Sequence, residues 1–424
     1  MLNLQQGLIN EKLTSIDFAG IARRSGFDNR YSKKIRAHSF LYGFLMMYSQ
    51  QSHSLQAWAA CIEEVSGKVV SKQALWLKFT NRHVNCFKAV FASLLSAQIR
   101  RCTLNSALID GFGRVLVEDS SCFSVSKQLA EHFPGSRNST GVAATARMQL
   151  CYDLKRSRFE QLDLQCYRDN DQKHAPLITR LAVKGDLVLR DLGYFALAVF
   201  DVMDKAGVFF LSRLRYKVSV YDIEKGQKLD LLELTAGKTC LDMFVLLGAE
   251  QQLRVRLVGE KLPDHVAALR RRKAKKSRHR NTNHSKHYMQ CLGWNFYITN
   301  VEHWEVEQVR QTYRLRWRIE MIFKGLKSGL GWSKMFEKKP LPYNRVIMTY
   351  YLMLIYVLLC WSGFRYFAKA LRYISLHKFL NWFRLRFTLL LTMTHWDDCI
   401  SSVKQHCLYE KRRNRSNYYQ IALS

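Results

Sequence analysis

Hydrophobic positions in the middle of the chain recur with the spacing of β-strands. The segments GRVLVEDSS (113–121), ATARMQLCYDL (144–154) and RFEQLDLQCY (158–167) alternate or run continuously in apolar residues, as strands do. A short apolar segment ending at Asp191 follows, and after it come the helical pattern FALAVFDVMDKAG and the strand-like VFFLSRLR. Three successive strands, then strand, helix and strand, predict an α/β fold built around a mixed sheet.

Helical patterns dominate before residue 106. SLQAWAACIEEVSG begins with the cap Ser54 and stops at Gly67, and SKQALWLKF begins with a second cap, Ser71. A helix, a glycine-containing turn and a second helix are the parts of a helix-turn-helix, in which Lys72 and Gln73 could contact DNA. Many helical hairpins have this pattern without binding anything, so the pattern alone leaves DNA contact open.

A second group of strand-like segments follows residue 215 and ends in a basic tract, RRRKAKKSRHRNTNHSKHY (270–288). The tract has no apolar period, so no structured helix is predicted there, and Arg270, Arg271 and Arg272 are expected to contact the DNA backbone. The predicted regions are a helical DNA-binding region (1–105), a core in two parts (106–215 and 291–335), a β-rich insertion (216–290) and a helical C-terminal region (336–424).

Charge is the most unusual property of the composition. The chain carries 66 Lys and Arg against 34 Asp and Glu, a formal net charge of +32 in 424 residues. Such a surplus repels itself unless a polyanion neutralises it, and nucleic acid is the polyanion that this favours. A membrane-surface or ribosome-associated protein could carry the same charge. The 11 cysteines form no CxxC pair, which favours reduced thiols in the cytoplasm.

One uncharged segment, 346–362, has the borderline length of a membrane span. Thr349 and three tyrosines lower its hydrophobicity, which favours a buried core helix over a membrane helix. The N-terminus has neither a basic start nor an apolar core of signal-peptide length. The expected location is therefore the cytoplasm, without a membrane.

A single acidic residue, Glu320, stands among cations in YRLRWRIEMIFKGLK (313–327). The simplest explanation is an ion pair with Arg316 or Lys324, each four residues away on a helix. At about 100° per residue, four polar residues fall within an arc of roughly 60° on one helix face. These residues are Tyr313, Arg316, Glu320 and Lys327. Cations that hold phosphates beside an acid that holds a metal ion are what phosphodiester cleavage requires.

A neighbouring cation, Arg318, lies near 140° on the same helical wheel, off this line. It is therefore predicted to face solvent, where a cation contributes mainly nonspecific attraction.

Two further carboxylates, Asp119 and Asp191, each follow an apolar run that should belong to a sheet. A carboxylate at the edge of a core is costly unless it is paired or bound to a metal. Taken alone, each could simply cap a strand end. Four other acids compete with them on spacing alone: Asp110, Glu118, Asp153 and Asp163.

The spaced residues of the helix resemble a known signature. With every spacing intact, they match the YREK motif of the insertion-sequence-four family of bacterial DDE transposases: Tyr313, Arg316, Glu320 and Lys327. VEDSS resembles the first-Asp block of that family and gives Asp119, and LRDLGYF resembles the second-Asp block and gives Asp191. The resemblance covers roughly residues 110–335.

This resemblance implies an RNase H-like catalytic core, interrupted by the β-rich insertion, in which three acids bind metal: Asp119, Asp191 and Glu320. Three carboxylates suit two Mg²⁺ (or Mn²⁺) ions about 3.5–4 Å apart. The other three residues of the motif would hold phosphates. Trp294 lies roughly where the family has a base-stacking Trp, although a plain core Trp fits its position as well.

The resemblance also implies partners and a reaction. The partners are double-stranded DNA, both the inverted-repeat ends of the element and its target, with a homodimer on DNA and a nucleoid-associated location. The reaction is cut-and-paste transposition with a hairpin at the element end. Alternatives are a metal-dependent nuclease without strand transfer, a catalytically silent DNA-binding derivative and a basic membrane protein.

Overall fold

The structure of the protein, a computed structural model, describes residues 7–30, 34–98, 104, 106–138, 141–276, 284–336, 341–371 and 373–410. Most of its strands lie where the apolar patterns predict them, and β2 and β8 are strands that no apolar pattern predicted. In chain order they are β1 (Val115–Ser124), β2 (Pro134–Asn138), β3 (Gly141–Asp153), β4 (Arg158–Cys166), β5 (Leu187–Arg190), β6 (Phe209–Arg213), β7 (Val220–Tyr221), β8 (Lys228–Leu229), β9 (Cys240–Leu247), β10 (Leu253–Lys261) and β11 (Trp294–Thr299).

All eleven of these strands belong to one mixed sheet. Its order is β2-β3-β1-β5-β6-β11-β10-β9-β7-β8, and β4 pairs with β3 beside this path. β1 pairs antiparallel with β3 and parallel with β5, which in turn runs parallel to β6. The strands of the predicted insertion, β7 to β10, extend the same sheet through β11. The mixed α/β class is confirmed.

Helices cover the sheet and occupy both ends of the chain. Before β1 lie α1 (Leu8–Thr14), α2 (Phe18–Arg24), α3 (Ala37–Ser49), α4 (Leu55–Ser66), α5 (Lys72–Trp76) and α6 (Asn81–Ser96). Between the strands lie α7 (Asp171–His174), α8 (Ile178–Leu181), α9 (Leu197–Lys205), α10 (Leu231–Thr235), α11 (Asp264–Lys275) and α12 (Lys286–Cys291). After β11 lie α13 (Val306–Leu315), α14 (Trp317–Lys324), α15 (Tyr343–Ala370), α16 (Leu376–Leu385), α17 (Phe387–Leu390) and α18 (Ile400–Cys407).

Side chains that alternate along β1 divide the interior into two cores. Val115 and Val117 face a first core, which they share with helices from both ends of the chain. Leu116 faces a second core, built with α8, α9 and the strands β7, β9 and β10. β5 alternates in the same way, because successive side chains of a strand point to opposite faces. Consecutive residues at the ends of β1 and β5 therefore face opposite sides of the sheet.

The helix α15 is long and apolar enough to cross a membrane by length and composition, with a mean hydropathy of 1.8 in its most apolar window. Of that window, 89% is buried inside the protein, where the helix packs against α3 and α6. The segment 346–362 is thus a core helix, as predicted. The division of the chain into five regions stays a prediction.

The start of the basic tract differs from its prediction. Arg270, Arg271 and Arg272 lie in the helix α11, which runs to Lys275. The helix α11 has an acidic first turn and a basic last turn, which interact favourably with the helix dipole. This charge pattern can favour a helix even where apolar residues show no helical period. Residues 277–283 of the tract lie outside the described residues.

Candidate active site

Asp119 and Asp191 meet at one end of two paired strands. Asp119 lies in β1 and Asp191 directly follows β5, and these strands run parallel in adjacent positions of the sheet. Asp119 is two residues beyond Val117, and Asp191 is two beyond Leu189, both of which face the first core. The two carboxylates therefore point to the same face of the sheet.

Glu320 reaches this end of the sheet from α14, which contacts β1. Arg316 connects it to the second acid: its Nη2 donates to Glu320 Oε1 at 2.6 Å and lies 3.8 Å from Asp191 Oδ1. The ion pair expected between Arg316 and Glu320 is thus present. The side chains of Asp191 and Glu320 are each 42% exposed, whereas that of Arg316 is 14% exposed. The site is open to water on its acidic side.

Burial and charge set the protonation of this cluster. Burial raises the pKa of Asp119 to about 6, and the carboxylate of Asp191 adds to this, while the guanidinium of Arg316 opposes it. Burial alone would lower the pKa of Arg316, but Tyr313 and the carboxylates of Asp191 and Glu320 together raise it. The arrangement favours a cation among the acids.

The helix that carries the motif is not continuous, contrary to the prediction. α13 ends at Leu315, Arg316 separates it from α14, and a π-helical turn follows over Gly325–Gly329. Lys327 lies in that turn and is exposed. It lines a small, mainly apolar pocket with residues of β1, β3, α14, the π-helical turn and the segment after it, which are Ser121, Phe123, Met148, Phe323, Leu326 and Trp332.

Tyr313 lies beneath the acids rather than beside them. It is 8% exposed, and its hydroxyl donates to the backbone carbonyl of Arg190 at 3.3 Å. Burial raises the pKa of its phenol to about 12. The predicted contact between Tyr313 and a DNA phosphate stays a prediction.

The prediction that Arg318 faces solvent is wrong. Arg318 is 2% exposed, and its guanidinium lies 5.4 Å from the ring centroid of Phe364 in α15. A helical wheel gives the direction of a side chain but not what covers it, and here a helix from the C-terminal region does.

The turn after Asp191 shows why a Gly-Tyr pair follows it. A Cβ on Gly193 would lie 3.0 Å from Asp171 Oδ2, closer than side chains usually pack. Tyr194 is buried, and its hydroxyl donates to Gln149 Oε1 at 2.6 Å. This turn is therefore fitted to the strand β3 and to the start of α7.

Two sets of polar interactions near the acids were not predicted, although Glu118 had been named as a competing acid. Arg190 and Glu118, one residue before Asp191 and Asp119, form a buried ion pair of 2.9 Å. Each is a charged residue within a run of apolar strand residues, which was the available signal. The second set lies beside Asp119: Ser120 Oγ donates to Asp171 Oδ1 at 2.7 Å, and Arg147 Nη1 donates to the same oxygen at 2.9 Å.

The remaining predicted DNA contacts lie on other elements. Lys72 and Gln73 are exposed on α5. Arg272 is exposed on α11, whereas Arg270 donates to Asn295 Oδ1 at 2.9 Å.

Arg271, the third arginine of this group, donates its Nε–H to the carbonyl of Met289 at 2.9 Å. Trp294 is 8% exposed, and its ring stacks on Phe296 with centroids 5.9 Å apart. Stacking on a DNA base would require Trp294 to leave that contact.

Comparison with known proteins identifies relatives of this chain. Residues 110–354 match the family described as Transposase DDE domain. The chain is 32% identical over 293 residues to the transposase for insertion sequence element IS231F of Bacillus thuringiensis subsp. israelensis. That alignment covers 63% of this chain and 61% of the relative, which is less than two thirds of the relative's length.

Two further relatives align over more of their length. The chain is 30% identical to the transposase for IS231E of Bacillus thuringiensis subsp. finitimus and 29% identical to that for IS1151 of Clostridium perfringens. Each alignment covers 76% of this chain and 72% of the relative. The solved piggyBac transposase synaptic complex with hairpin DNA aligns with 98% of this chain and 86% of its own, at a TM-score of 0.46 and 10% identity.

Proposed function

This chain belongs to the family of transposases with a DDE domain, as its motifs indicated, and we propose that it cuts and joins DNA at the ends of an insertion sequence. The supporting observation is that Asp119 and Asp191 lie on one face of the sheet and that Arg316 lies between Asp191 and Glu320. The reaction is cut-and-paste transposition with a hairpin at the element end.

The core that holds these acids is RNase H-like in our proposal. The strand order β4-β3-β1-β5-β6, with the first three strands antiparallel and the last three parallel, supports it. The β-rich insertion then occupies 216–290, between the second acid and the third.

Divalent metal ions are the cofactor that the carboxylate oxygens of Asp119, Asp191 and Glu320 suit. Among the residues that the structure describes, no three His, Cys, Asp or Glu side chains are close enough to hold a metal ion as they stand. The carboxylates of Asp191 and Glu320 instead surround the guanidinium of Arg316, so the site already accommodates positive charge. Hard carboxylate oxygens suit Mg²⁺ or Mn²⁺.

Asp119, Asp191 and Glu320 would hold two such ions. When bound, the ions supply an activated water or 3′-hydroxyl and stabilise the leaving oxygen. Glu320 would then bind metal in place of Arg316, whose guanidinium would be available to bind a DNA phosphate in bidentate fashion. Lys327, exposed beside the same face, holds a second phosphate.

The DNA partners are the inverted-repeat ends and a double-stranded target, bound by a homodimer in the cytoplasm at the nucleoid. We assign backbone contacts to Arg272 and its exposed neighbours on α11, and end contacts to Lys72 and Gln73 on α5. Trp294 is retained as a candidate for base stacking at the hairpin.

Cleavage of DNA that carries both element ends tests the proposal. The purified chain and its Glu320→Gln variant are incubated in Mg²⁺ with labelled ends taken from the inverted repeats that flank the gene, together with a target plasmid. We expect nicks, hairpin ends and joined products from the wild type alone. Nicks without joining would identify a nuclease, and end binding without nicks would identify a silent DNA-binding protein.

The contribution of α11 has its own test. Changing Arg272, Lys273, Lys275 and Lys276 to Gln should weaken binding of element ends and of random DNA alike and should reduce the salt dependence of both. Loss of end preference at unchanged affinity for random DNA would show that these cations discriminate sequence.

A further inference from the structure

A buried ion pair lies directly behind the acidic site. Arg190 Nη2 donates to Glu118 Oε2 at 2.9 Å, and the two side chains are 0% and 2% exposed. Glu118 immediately precedes Asp119 and Arg190 immediately precedes Asp191, so the pair faces the second core while the two acids face the first. Each residue of the ion pair is therefore the immediate neighbour in sequence of a proposed metal ligand.

The pair holds together strands that share little backbone pairing. The parallel register of β1 and β5 covers only residues 115–117 against 187–189. Glu118 and Arg190 follow it at one end, and Arg114 and Asp186, joined at 2.6 Å, precede it at the other. Two ion pairs thus enclose one short stretch of pairing.

Arg190 also makes contacts beyond Glu118. The same Nη2 donates to the carbonyl of Ala175 at 2.8 Å, and the guanidinium lies 5.6 Å from the ring centroid of Tyr194. On the backbone side, the carbonyl of Arg190 accepts the hydroxyl of Tyr313 in α13, next to the helix that carries Glu320. Arg190, itself in β5, therefore contacts β1, which carries Asp119, and α13, which precedes the helix that carries Glu320.

Stability alone does not explain such a pair. Replacing a buried ion pair by apolar residues of similar volume is often neutral or stabilising, because desolvation of two charges offsets their attraction. What the pair supplies is position: Arg190 Nη2 donates to a carboxylate and a carbonyl at once, and the backbone carbonyl of Arg190 accepts the hydroxyl of Tyr313. Among the described residues, Nε and Nη1 of Arg190 and Oε1 of Glu118 are buried without a hydrogen-bond partner, so the pair is joined through one nitrogen and one oxygen.

We propose that Glu118 and Arg190 form a clamp that fixes the separation of Asp119 and Asp191 and thereby sets the affinity of the acidic site for divalent metal. Both are positioning residues, since neither faces the acids' side of the sheet. The proposal rests on the assignment of Asp119, Asp191 and Glu320 as metal ligands.

The test replaces the pair as a unit. Arg190→Met alone leaves Glu118 buried without its partner and is expected to unfold the protein in part, whereas Glu118→Leu with Arg190→Met should fold. The matched control is Arg114→Met with Asp186→Leu, at the other end of the same strand pairing. For each full-length protein we would measure urea unfolding, Mn²⁺ binding by electron paramagnetic resonance without DNA, and the Mn²⁺ dependence of single-turnover cleavage.

We expect the Glu118/Arg190 double variant to need at least about tenfold more Mn²⁺ for half-saturation in both binding and cleavage, with end binding unchanged. The control should shift unfolding alone. A Glu118/Arg190 variant with wild-type Mn²⁺ dependence overturns the clamp, as does a control with the same Mn²⁺ shift. If the wild type cleaves nothing but the double variant still weakens Mn²⁺ binding, the clamp holds and the proposed reaction is wrong.

Discussion

Where β1 and β5 end, both faces of the sheet carry carboxylates in contact with a guanidinium, but the two groups have different roles. Behind the sheet, Glu118 and Arg190 neutralise each other with exposures of 2% and 0%. In front, one residue further along each strand, Asp119 and Asp191 lie with Glu320 around Arg316, and two of these carboxylates are 42% exposed. The difference is access to water: the buried pair is closed to solvent and ions, whereas the open acids can exchange a guanidinium for metal.

Substitutions of the three acids should have the largest effect. Asp119→Asn, Asp191→Asn and Glu320→Gln should each reduce strand cleavage by at least about a thousandfold, roughly 4 kcal/mol in the transition state. End binding should change little, because metal ligation and phosphate anchoring are separate tasks. Gel-shift and nicking assays on one labelled DNA measure both, and a variant that nicks at the normal rate in Mg²⁺ removes that residue from the site.

The ionised carboxylate of Asp119 should lower the free energy of unfolding of the metal-free protein. Its pKa in the folded protein, about 6, lies above its usual value of 3.8, so the ionised form is disfavoured by folding. The cost is complete above pH 6 and disappears as the pH falls below about 4. Asp119→Asn should therefore raise the free energy of unfolding of the metal-free protein at pH 8 by on the order of 2 kcal/mol.

Urea unfolding at pH 8 and pH 4, with wild type and variant side by side, measures that effect. We expect the stabilisation at pH 8 and almost none at pH 4. An equal change at both values would mean that the charge of Asp119 is not what costs stability.

Arg316 is the cation on the open face of the sheet, and its substitution should have a smaller effect on cleavage. A guanidinium that binds a carboxylate or phosphate through two N–H groups is not replaced by an ammonium. Arg316→Lys should slow cleavage or end joining by at least about tenfold, on the order of 1.4 kcal/mol. Single-turnover cleavage of precut and uncut element ends measures it.

Arg318 is the matched control for Arg316, two residues away in the same segment. Its guanidinium is buried over Phe364, so Arg318→Lys should lower the free energy of unfolding while the cleavage rate per folded molecule changes by less than about twofold, roughly 0.4 kcal/mol. Equal losses of rate in Arg316→Lys and Arg318→Lys would show that the wrong arginine was placed at the acids.

Much of the fold and of the site follows from local sequence. Period-two runs give β1, β3 and β4, and the spacing of the motif gives the acid on the helix, because both depend on residues near in the chain. The clamp does not follow in this way. Glu118 was only one of several acids with similar spacing, and its pairing with Arg190 depends on the register between β1 and β5, which joins residues 72 positions apart.

Two wrong predictions, an exposed Arg318 and a continuous helix, also concern features that depend on contacts with distant residues. The burial of Arg318 depends on α15, which begins about 25 residues later in the chain. The interruption at Arg316 and the π-helical turn over Gly325–Gly329 depend on how this segment packs, since Gly325 lies against Leu380 of α16, where a Cβ would come within 2.6 Å. Propensity within the segment predicts a straight helix.

The packing of α15 against α3 and α6 has a consequence for synthesis on the ribosome. Helices α3 and α6, within the first 98 residues, have apolar faces that α15 (residues 343–370) covers, so their core cannot be finished until most of the chain has been made. Contacts between such distant segments slow folding and prolong the exposure of apolar surface to solvent. Nascent or truncated chains that end before residue 343 should therefore aggregate or depend on chaperones, and chains that include α15 should fold to a stable protein.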